Sequence, residues 1–343
     1  MRPLSGDGFQ FELSNLLDAA DDAVLYGGGG ALSKAAILVR AACKRLADRR
    51  RFHEFDIIFV QREAWMLGST FFERSIKDSG AKFVFDFDDS IWLMDTSPAN
   101  KRWEWLKNPG KTAENIKCAD MVFAGNPYLA EFASRFNPNV RIVPTTIDTD
   151  EYRPEPGRLE PAAVTIGWSG SVTTIRHFEF AVPALKRTLA RHGSRVRFEV
   201  IGDQLYKNSD LGIEGQAWVR ESEVADLRRF DIGIMPLPND EWARGKCGLK
   251  GLQYMALGIP TVMSPVGVNS EIIEGDRNGL LASTEDEWVE ALDRLVGSAT
   301  LRSQLGAAGR ATVVERYSVR AQHDTYRRLL NEVLHPRFSG KRC

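Results

Sequence analysis

Cysteine pairs, long apolar runs, an excess of either charge and a nucleotide-binding glycine fingerprint are all missing from this sequence. The four cysteines, Cys43, Cys118, Cys247 and Cys343, lie far apart with no C-x-x-C pair. That spacing argues against a zinc site and a disulfide scaffold, and makes a reducing cytoplasm the expected setting. Apolar runs such as Ile57-Ile58-Phe59-Val60 fall far short of the ~18 residues that cross a bilayer. Met1-Arg2-Pro3-Leu4 does not open as a signal sequence, so the expectation is a protein that is not inserted in a membrane. Lys and Arg number 45 against 46 Asp and Glu, a formal net charge of -1. No bulk attraction to nucleic acid or to a membrane follows, and no nucleic-acid partner is expected. Gly27-Gly28-Gly29-Gly30 fails as a phosphate-cradling turn. A G-x-G-x-x-G reading puts Leu32 or Ser33 at the third glycine, and no Gly-Lys-Ser/Thr follows; a flexible loop accounts for it.

What is present is ordinary globular material, 43% apolar and 27% charged over 343 residues, enough for two domains of ~150 residues. Short β-rich runs alternate with helical patterns, the signature of parallel sheets flanked by helices. Residues 56–60, 82–85, 121–124 and 140–143 read as strands in a first half, and 163–167, 196–202, 231–235 and 260–264 in a second. Between them Asp148 to Gly157, polar and carrying two prolines, suits a linker and puts a boundary near residue 155. Ser318 as an N-cap, with Val319, Gln322, Tyr326, Leu329, Leu330 and Val333 at helical spacing, predicts an amphipathic helix over 319–334. The first half lacks a clear opening strand. Phe9-Gln10-Phe11-Glu12-Leu13 is the one weak candidate, so the first unit of a doubly wound domain reads as missing or degenerate.

Three stretches could carry chemistry. Asp86-Phe87-Asp88-Asp89 closes a strand, at the edge where open α/β sheets collect ligand contacts. Carboxylates there could hold Mg²⁺ against a diphosphate, or simply terminate the strand and cap a helix. Gly167-Trp168-Ser169-Gly170-Ser171 stands at a strand-to-helix junction. It could donate backbone N–H groups to phosphate oxygens, or be an ordinary tight turn; Arg176 and His177 share its rim. The richest stretch runs from Gly245 to Glu271. Gly248 loosens a helix start, and Lys246 and Lys250, four apart, can share one helical face. Gly258-Ile259-Pro260 stops the helix. Gly267 and Glu271 then supply a glycine turn and a capped helix, so that two helix N-termini and two ammonium groups would converge as a diphosphate cradle that needs no metal.

Here the sequence resembles the donor-binding half of retaining GT-B glycosyltransferases of the family 4 type. The resemblance is carried by GKCGLKGLQYMALGIPTVMSPVGVNSE together with Leu301 to Arg310 and Glu315-Arg316-Tyr317-Ser318. It covers residues 155–318 well and thins toward the N-terminus, where QREAW, DFDDSIW and TTIDTDEY look like a subgroup acting in polysaccharide assembly. It implies an α/β GT-B fold: two Rossmann-like doubly wound domains facing a central cleft, the N-terminal one incomplete. The acceptor-side domain would be 1–154 and the donor domain 155–318, with 319–343 crossing back as a helix.

The implied function is transfer of a sugar from a UDP-, GDP- or ADP-sugar to a glycan or lipid-linked acceptor in cell-surface polysaccharide synthesis, with no cofactor. The setting would be the cytoplasm at the inner face of the membrane, with weak peripheral contact through Arg337, Lys341 and Arg342. Lys246 and Lys250 would be catalytic. Gly167, Ser169, Gly170, Ser171, Arg176, Gly248, Gln253, Gly267 and Glu271 would bind donor, and Arg62, Glu63 and Asp88 would face acceptor. The family pattern of a Glu, seven residues and a second Glu that grips the ribose is replaced by Gly245 and Gln253. The usual diphosphate-binding Arg and Lys are absent too, with Trp168 and Thr173 near their places. These departures motivate a rival, a non-catalytic nucleotide-sugar-binding protein on the same fold. A nicotinamide dehydrogenase and a metal-dependent transferase using Asp86 and Asp88 stand further off.

Overall fold

A computed structural model of the chain describes residues 2–26, 30–93, 108, 110–157 and 160–335. Gly27, Gly28 and Gly29 of the glycine run, the basic tail with Arg337, Lys341 and Arg342, and Cys343 lie outside them. The chain divides into two compact units, one of residues up to Val143 together with His323 onward, the other Pro144–Gln322.

The first unit holds four strands, β1 (Ile57–Gln61), β2 (Lys82–Phe87), β3 (Met121–Ala124) and β4 (Val140–Ile142), parallel and in that spatial order. β2 and β3 read as continuous apolar runs because both their faces are buried; Phe83, Val84, Phe85 and all of β3 are fully enclosed. Sequential order with right-handed crossovers places the connecting helices Phe71–Asp78, Lys111–Cys118 and Pro127–Ser134 on one face. The opposite face, Ile57, Phe59, Val84, Met121 and Phe123, is covered by Tyr326, Leu329 and Val333 of the helix Val319–Leu334. The Tyr326 ring meets Phe123 edge-on at 5.8 Å, and Arg141 of β4 pairs with Glu332.

Among the described residues no strand precedes β1. Phe9 to Leu13 carry no regular structure: Phe9 stacks on Phe11 and Glu12 binds Arg51, so the residues read as a weak strand make ring and ion-pair contacts and join no sheet.

In the second unit β5 (Val164–Ser169), β6 (Val196–Ile201), β9 (Ile232–Met235), β10 (Thr261–Met263) and β11 (Leu280–Leu281) form a parallel sheet in the order β11-β10-β9-β5-β6. β7 (Lys207–Asn208) and β8 (Ile213–Glu214) pair antiparallel apart from it. From β6 at the edge the chain returns to β9 on the far side of β5, which makes the β5/β9 gap the topological switch point. The helix Glu285–Gly297 opens with a capping box of Thr284 and Glu287 and buries Trp288, Val289 and Leu292 in the core.

The stretch Asp148 to Gly157 falls within this unit. Tyr152 packs in its core, and the Arg310 guanidinium binds the carbonyls of Thr149, Tyr152 and Ala256. The helix Val319–Leu334 has the bounds that its spacing predicts, and Ser318 caps it by accepting the Ala321 N–H at 2.9 Å.

Leu329 is 1% exposed at the center of the face this helix covers. Leu329→Ala is expected to cost about 2–5 kcal/mol in urea unfolding followed by circular dichroism.

Candidate functional site

The C-terminal edge of the second sheet gathers most of the residues singled out in the sequence. β5 runs into its turn through Gly167, where a Cβ would lie 2.1 Å from the Phe230 ring; this glycine serves close packing. The Ser169 N–H donates to Tyr254 Oη at 2.7 Å. The Gly170 N–H donates to the Ile201 carbonyl at 2.9 Å, and the Ser171 N–H to Thr174 Oγ1 at 2.8 Å. All three N–H groups are engaged within the protein, as in a tight turn. Arg176 is exposed on the short helix Ile175–Glu179.

The helix that carries Lys250 runs Leu249–Ala256 behind Gly248, which has φ +74°. Lys246 therefore lies outside the helix, its ammonium 5.0 Å from the Trp242 ring centroid. The expectation of one helical face shared by Lys246 and Lys250 is corrected: the left-handed residue between them breaks the periodicity. Gly267 has φ +55°, and a Cβ there would stand 2.6 Å from the Arg244 carbonyl oxygen. The helix Asn269–Ile272 is only four residues long and its N-cap, Val268, supplies no side-chain cap. Glu271 is exposed within it, so its expected capping role is corrected as well.

Lys250 and Gln253 belong to a polar cluster whose center is Glu223. The Glu223 carboxylate accepts from Tyr152 Oη at 2.6 Å, Trp218 Nε1 at 2.9 Å and Gln253 Nε2 at 3.2 Å. Lys250 Nζ stands 3.5 Å from the same Oε1 that receives Trp218 and Gln253. Gln253 is 5% exposed, and its Nε2 also donates to Tyr152 Oη at 2.8 Å. The single Tyr152 proton goes to Glu223, so the phenol oxygen accepts from Gln253, and this fixes which end of the amide faces the carboxylate. Gln253 Oε1 points elsewhere, buried and without a hydrogen-bond partner among the described residues. Burial pushes the Glu223 carboxyl up, but the Tyr152, Trp218, Lys250 and Gln253 contacts outweigh it and its pKa lies below the usual value. Burial draws the Lys250 ammonium down, and Glu223 opposes that shift.

Arg62, Glu63 and Asp88, expected to face an acceptor, lie in the first unit at the C-terminal ends of β1 and β2. Arg62 adopts φ +63°, with its N–H on the Asp86 carbonyl at 2.7 Å and its Nε on Asp88 Oδ1 at 2.8 Å. Glu63 meets Lys111 Nζ at 3.3 Å. Lys111 is itself enclosed, 3.4 Å from the fully buried Glu73 and bonded to the Leu67 carbonyl. Among the described residues no three His, Cys, Asp or Glu side chains converge as a metal-ligand set. No described helix is long and apolar enough to cross a membrane.

Tyr152, Trp218, Glu223 and Lys111 are the residues that sequence reasoning passed over. Tyr152 sits in a stretch that reads as linker, and its partners arrive from elements 71 and 101 residues away. No local pattern marks such a meeting.

Asp86 generates a pH signature. Burial and the neighboring Asp88 push its carboxyl up to about 7, against the pull of Arg62. Tyr326, from the covering helix, is raised in turn by burial and by Asp86. The folded protein thus holds more protons than the unfolded chain between the ordinary carboxyl value of 3.8 and about 7. Stability should fall as pH rises through that window. Asp86→Asn is expected to flatten this part of the profile, measured by urea unfolding at pH 4.5, 5.5, 6.5 and 7.5.

Three comparisons bear on these two units. Residues 163–298 match the family model described as glycosyl transferases group 1. D-inositol 3-phosphate glycosyltransferase from Stackebrandtia nassauensis is 26% identical over 174 residues, 43% of this chain and 37% of that protein. The match thus spans little more than a third of this curated relative. Among solved structures, sucrose-phosphate synthase from Thermosynechococcus elongatus superposes with a TM-score of 0.63 at 14% identity, covering 86% of this chain and 79% of that one. HepE of Anabaena, in complex with UDP and glucose, gives 0.62 at 13% identity over 88% and 83%. At such identities the likeness is one of fold: α/β with parallel-sheet, Rossmann-like units, the GT-B fold of these glycosyltransferases.

Proposed function

We propose that this protein is a glycosyltransferase that moves a sugar from a nucleoside-diphosphate sugar onto a hydroxyl of a glycan or lipid-linked acceptor, with retention of configuration. The observation that carries the reading is Lys250. It is a largely buried ammonium in the first turn of the helix Leu249–Ala256, within the residues that match the group 1 glycosyl transferase model. Departure of the sugar leaves negative charge on the diphosphate while the ring becomes oxocarbenium-like. A fixed cation beside the leaving group is therefore worth more in the transition state than in the ground state.

In this reading Lys246 supports Lys250, while Arg176, Ser169, Ser171 and the backbone near Gly167, Gly170, Gly248 and Gly267 shape the donor pocket. Gln253 lies beside the ribose, Glu271 contributes from the rim of the turn, and Arg62, Glu63 and Asp88 meet the acceptor. The donor is a UDP-, GDP- or ADP-sugar, the product belongs to cell-surface polysaccharide synthesis, and the reaction is placed at the cytoplasmic face of the membrane. HepE of Anabaena, solved with UDP and glucose, supports a nucleotide-sugar donor.

One observation favors a second reading, a binding protein without turnover. Gly245 and Gln253 replace two family carboxylates, and the Gln253 amide N–H groups are already committed to Glu223 and Tyr152.

The test is calorimetry and thermal shift with UDP, GDP, ADP and their sugar conjugates in the presence of chelator, followed by donor hydrolysis. Ligand at a hundredfold its Kd should add ~2.7 kcal/mol of stability. One nucleotide should bind and its sugar conjugate be slowly hydrolyzed, and Lys250→Ala should lower that rate ~100-fold or more. Binding without turnover on any donor or acceptor would favor the second reading; Lys250→Ala with undiminished turnover would remove the lysine from the mechanism.

A further inference from the structure

A lysine side chain is a flexible stem with a strongly hydrated charge, which tends to shed its proton or swing out to water when enclosed. The Lys250 side chain is largely buried, 25% exposed, and it stands in the first turn of its helix, where the positive end of the helix dipole disfavors a cation. Something must hold the charge there, and Lys250 forms an ion pair with Glu223 at 3.5 Å.

Glu223 is built for that task. Its Oε2 accepts a hydrogen bond from the Tyr152 hydroxyl, and its Oε1 accepts from Trp218 and Gln253 and pairs with Lys250. The donors come from Tyr152, before β5, from Trp218, after β8, and from Gln253, on the same helix as the lysine. Both oxygens are thus tied to separate parts of the unit, and the carboxylate can neither rotate nor retreat.

The same geometry accounts for glutamine at 253. A glutamate there would set a second carboxylate about 3.2 Å from the first, and one of the two would take up a proton. The amide instead donates to both Glu223 and Tyr152. The two positions share one carboxylate, and it resides at 223.

We propose that Glu223 is the positioning residue of the donor site: held as an anion by Tyr152, Trp218 and Gln253, it keeps the Lys250 ammonium charged and in place to meet a leaving diphosphate, and supplies the carboxylate that position 253 lacks. The proposal rests on the transferase reading and adds the group on which the lysine depends.

The experiment is competitive acylation of lysine amines against pH, read at Lys250 by mass spectrometry, alongside calorimetric titration with UDP, GDP and ADP. Glu223→Gln keeps the shape and removes the charge. It should lower the Lys250 labeling midpoint by about one pH unit or more and weaken nucleotide binding about tenfold or more. Gln253→Glu alone should also weaken binding. The exchange variant Glu223→Gln with Gln253→Glu should recover both readouts toward wild type. A role confined to packing would lower Tm and leave the midpoint where it is; an unmoved midpoint in folded Glu223→Gln overturns the proposal. A wild-type chain that binds none of the three nucleotides overturns the transferase reading, while the labeling profile still decides whether Glu223 governs Lys250.

Discussion

A parallel sheet must be covered on both faces, and this constraint organizes the whole molecule. Parallel strands need crossover connections, the crossovers become helices, and the strands between them turn apolar throughout. In the second unit, strand order β11-β10-β9-β5-β6 reverses direction at β5 and so sends helices to both sides. In the first unit, the order β1 to β4 is sequential and supplies helices to one side alone. The second side is closed by Tyr326, Leu329 and Val333, from a helix at the far end of the chain. That arrangement lets a four-stranded sheet with no strand before β1 among the described residues bury both faces.

The switch point produced by that constraint also concentrates cost. At the C-terminal edge of the second sheet lie a buried carboxylate, a partly buried ammonium and a buried amide with one unpartnered oxygen. Burial alone would neutralize each charge. They persist because Tyr152, Trp218, Gln253 and Lys250 all converge on Glu223, and because the amide occupies the position where a second acid would compete. The edge of the first sheet shows the opposite case. Asp86 is driven toward neutrality by burial first and then by its neighbor Asp88, with Arg62 pulling the other way. Burial raises both acids; converging donors outweigh it at Glu223, while at Asp86 a like-charged neighbor adds to it.

How much of this was legible follows from the same physics. Apolar runs enclosed on both faces announce themselves, so β2, β3, β5, β6 and β9 fall where the sequence places strands, and periodicity fixes the helix Val319–Leu334. β11, two residues long, and the β7/β8 pair are too short to leave a pattern. Asp148 to Gly157 reads as a linker from its prolines and acids, yet Arg310 ties its carbonyls into the second unit. The glycosyltransferase-like strings lie in the second unit, where Lys250 and Gln253 meet at Glu223. Glu223 was invisible, because its importance comes from partners at positions 152, 218, 250 and 253 that only the fold assembles.

The placement of that last helix bears on the order of synthesis. The strands of the first sheet leave the ribosome before Pro144, but their cover begins at His323. All of the second unit must be made in between. At about 5–20 residues per second the interval is on the order of ten to forty seconds. Throughout it Val84, Met121 and Phe123 have no intramolecular lid from the helix that later buries them. The nascent chain therefore carries an adhesive surface for far longer than a small domain needs to collapse. A chain that stopped before this helix would leave that face of the sheet without the side chains that cover it.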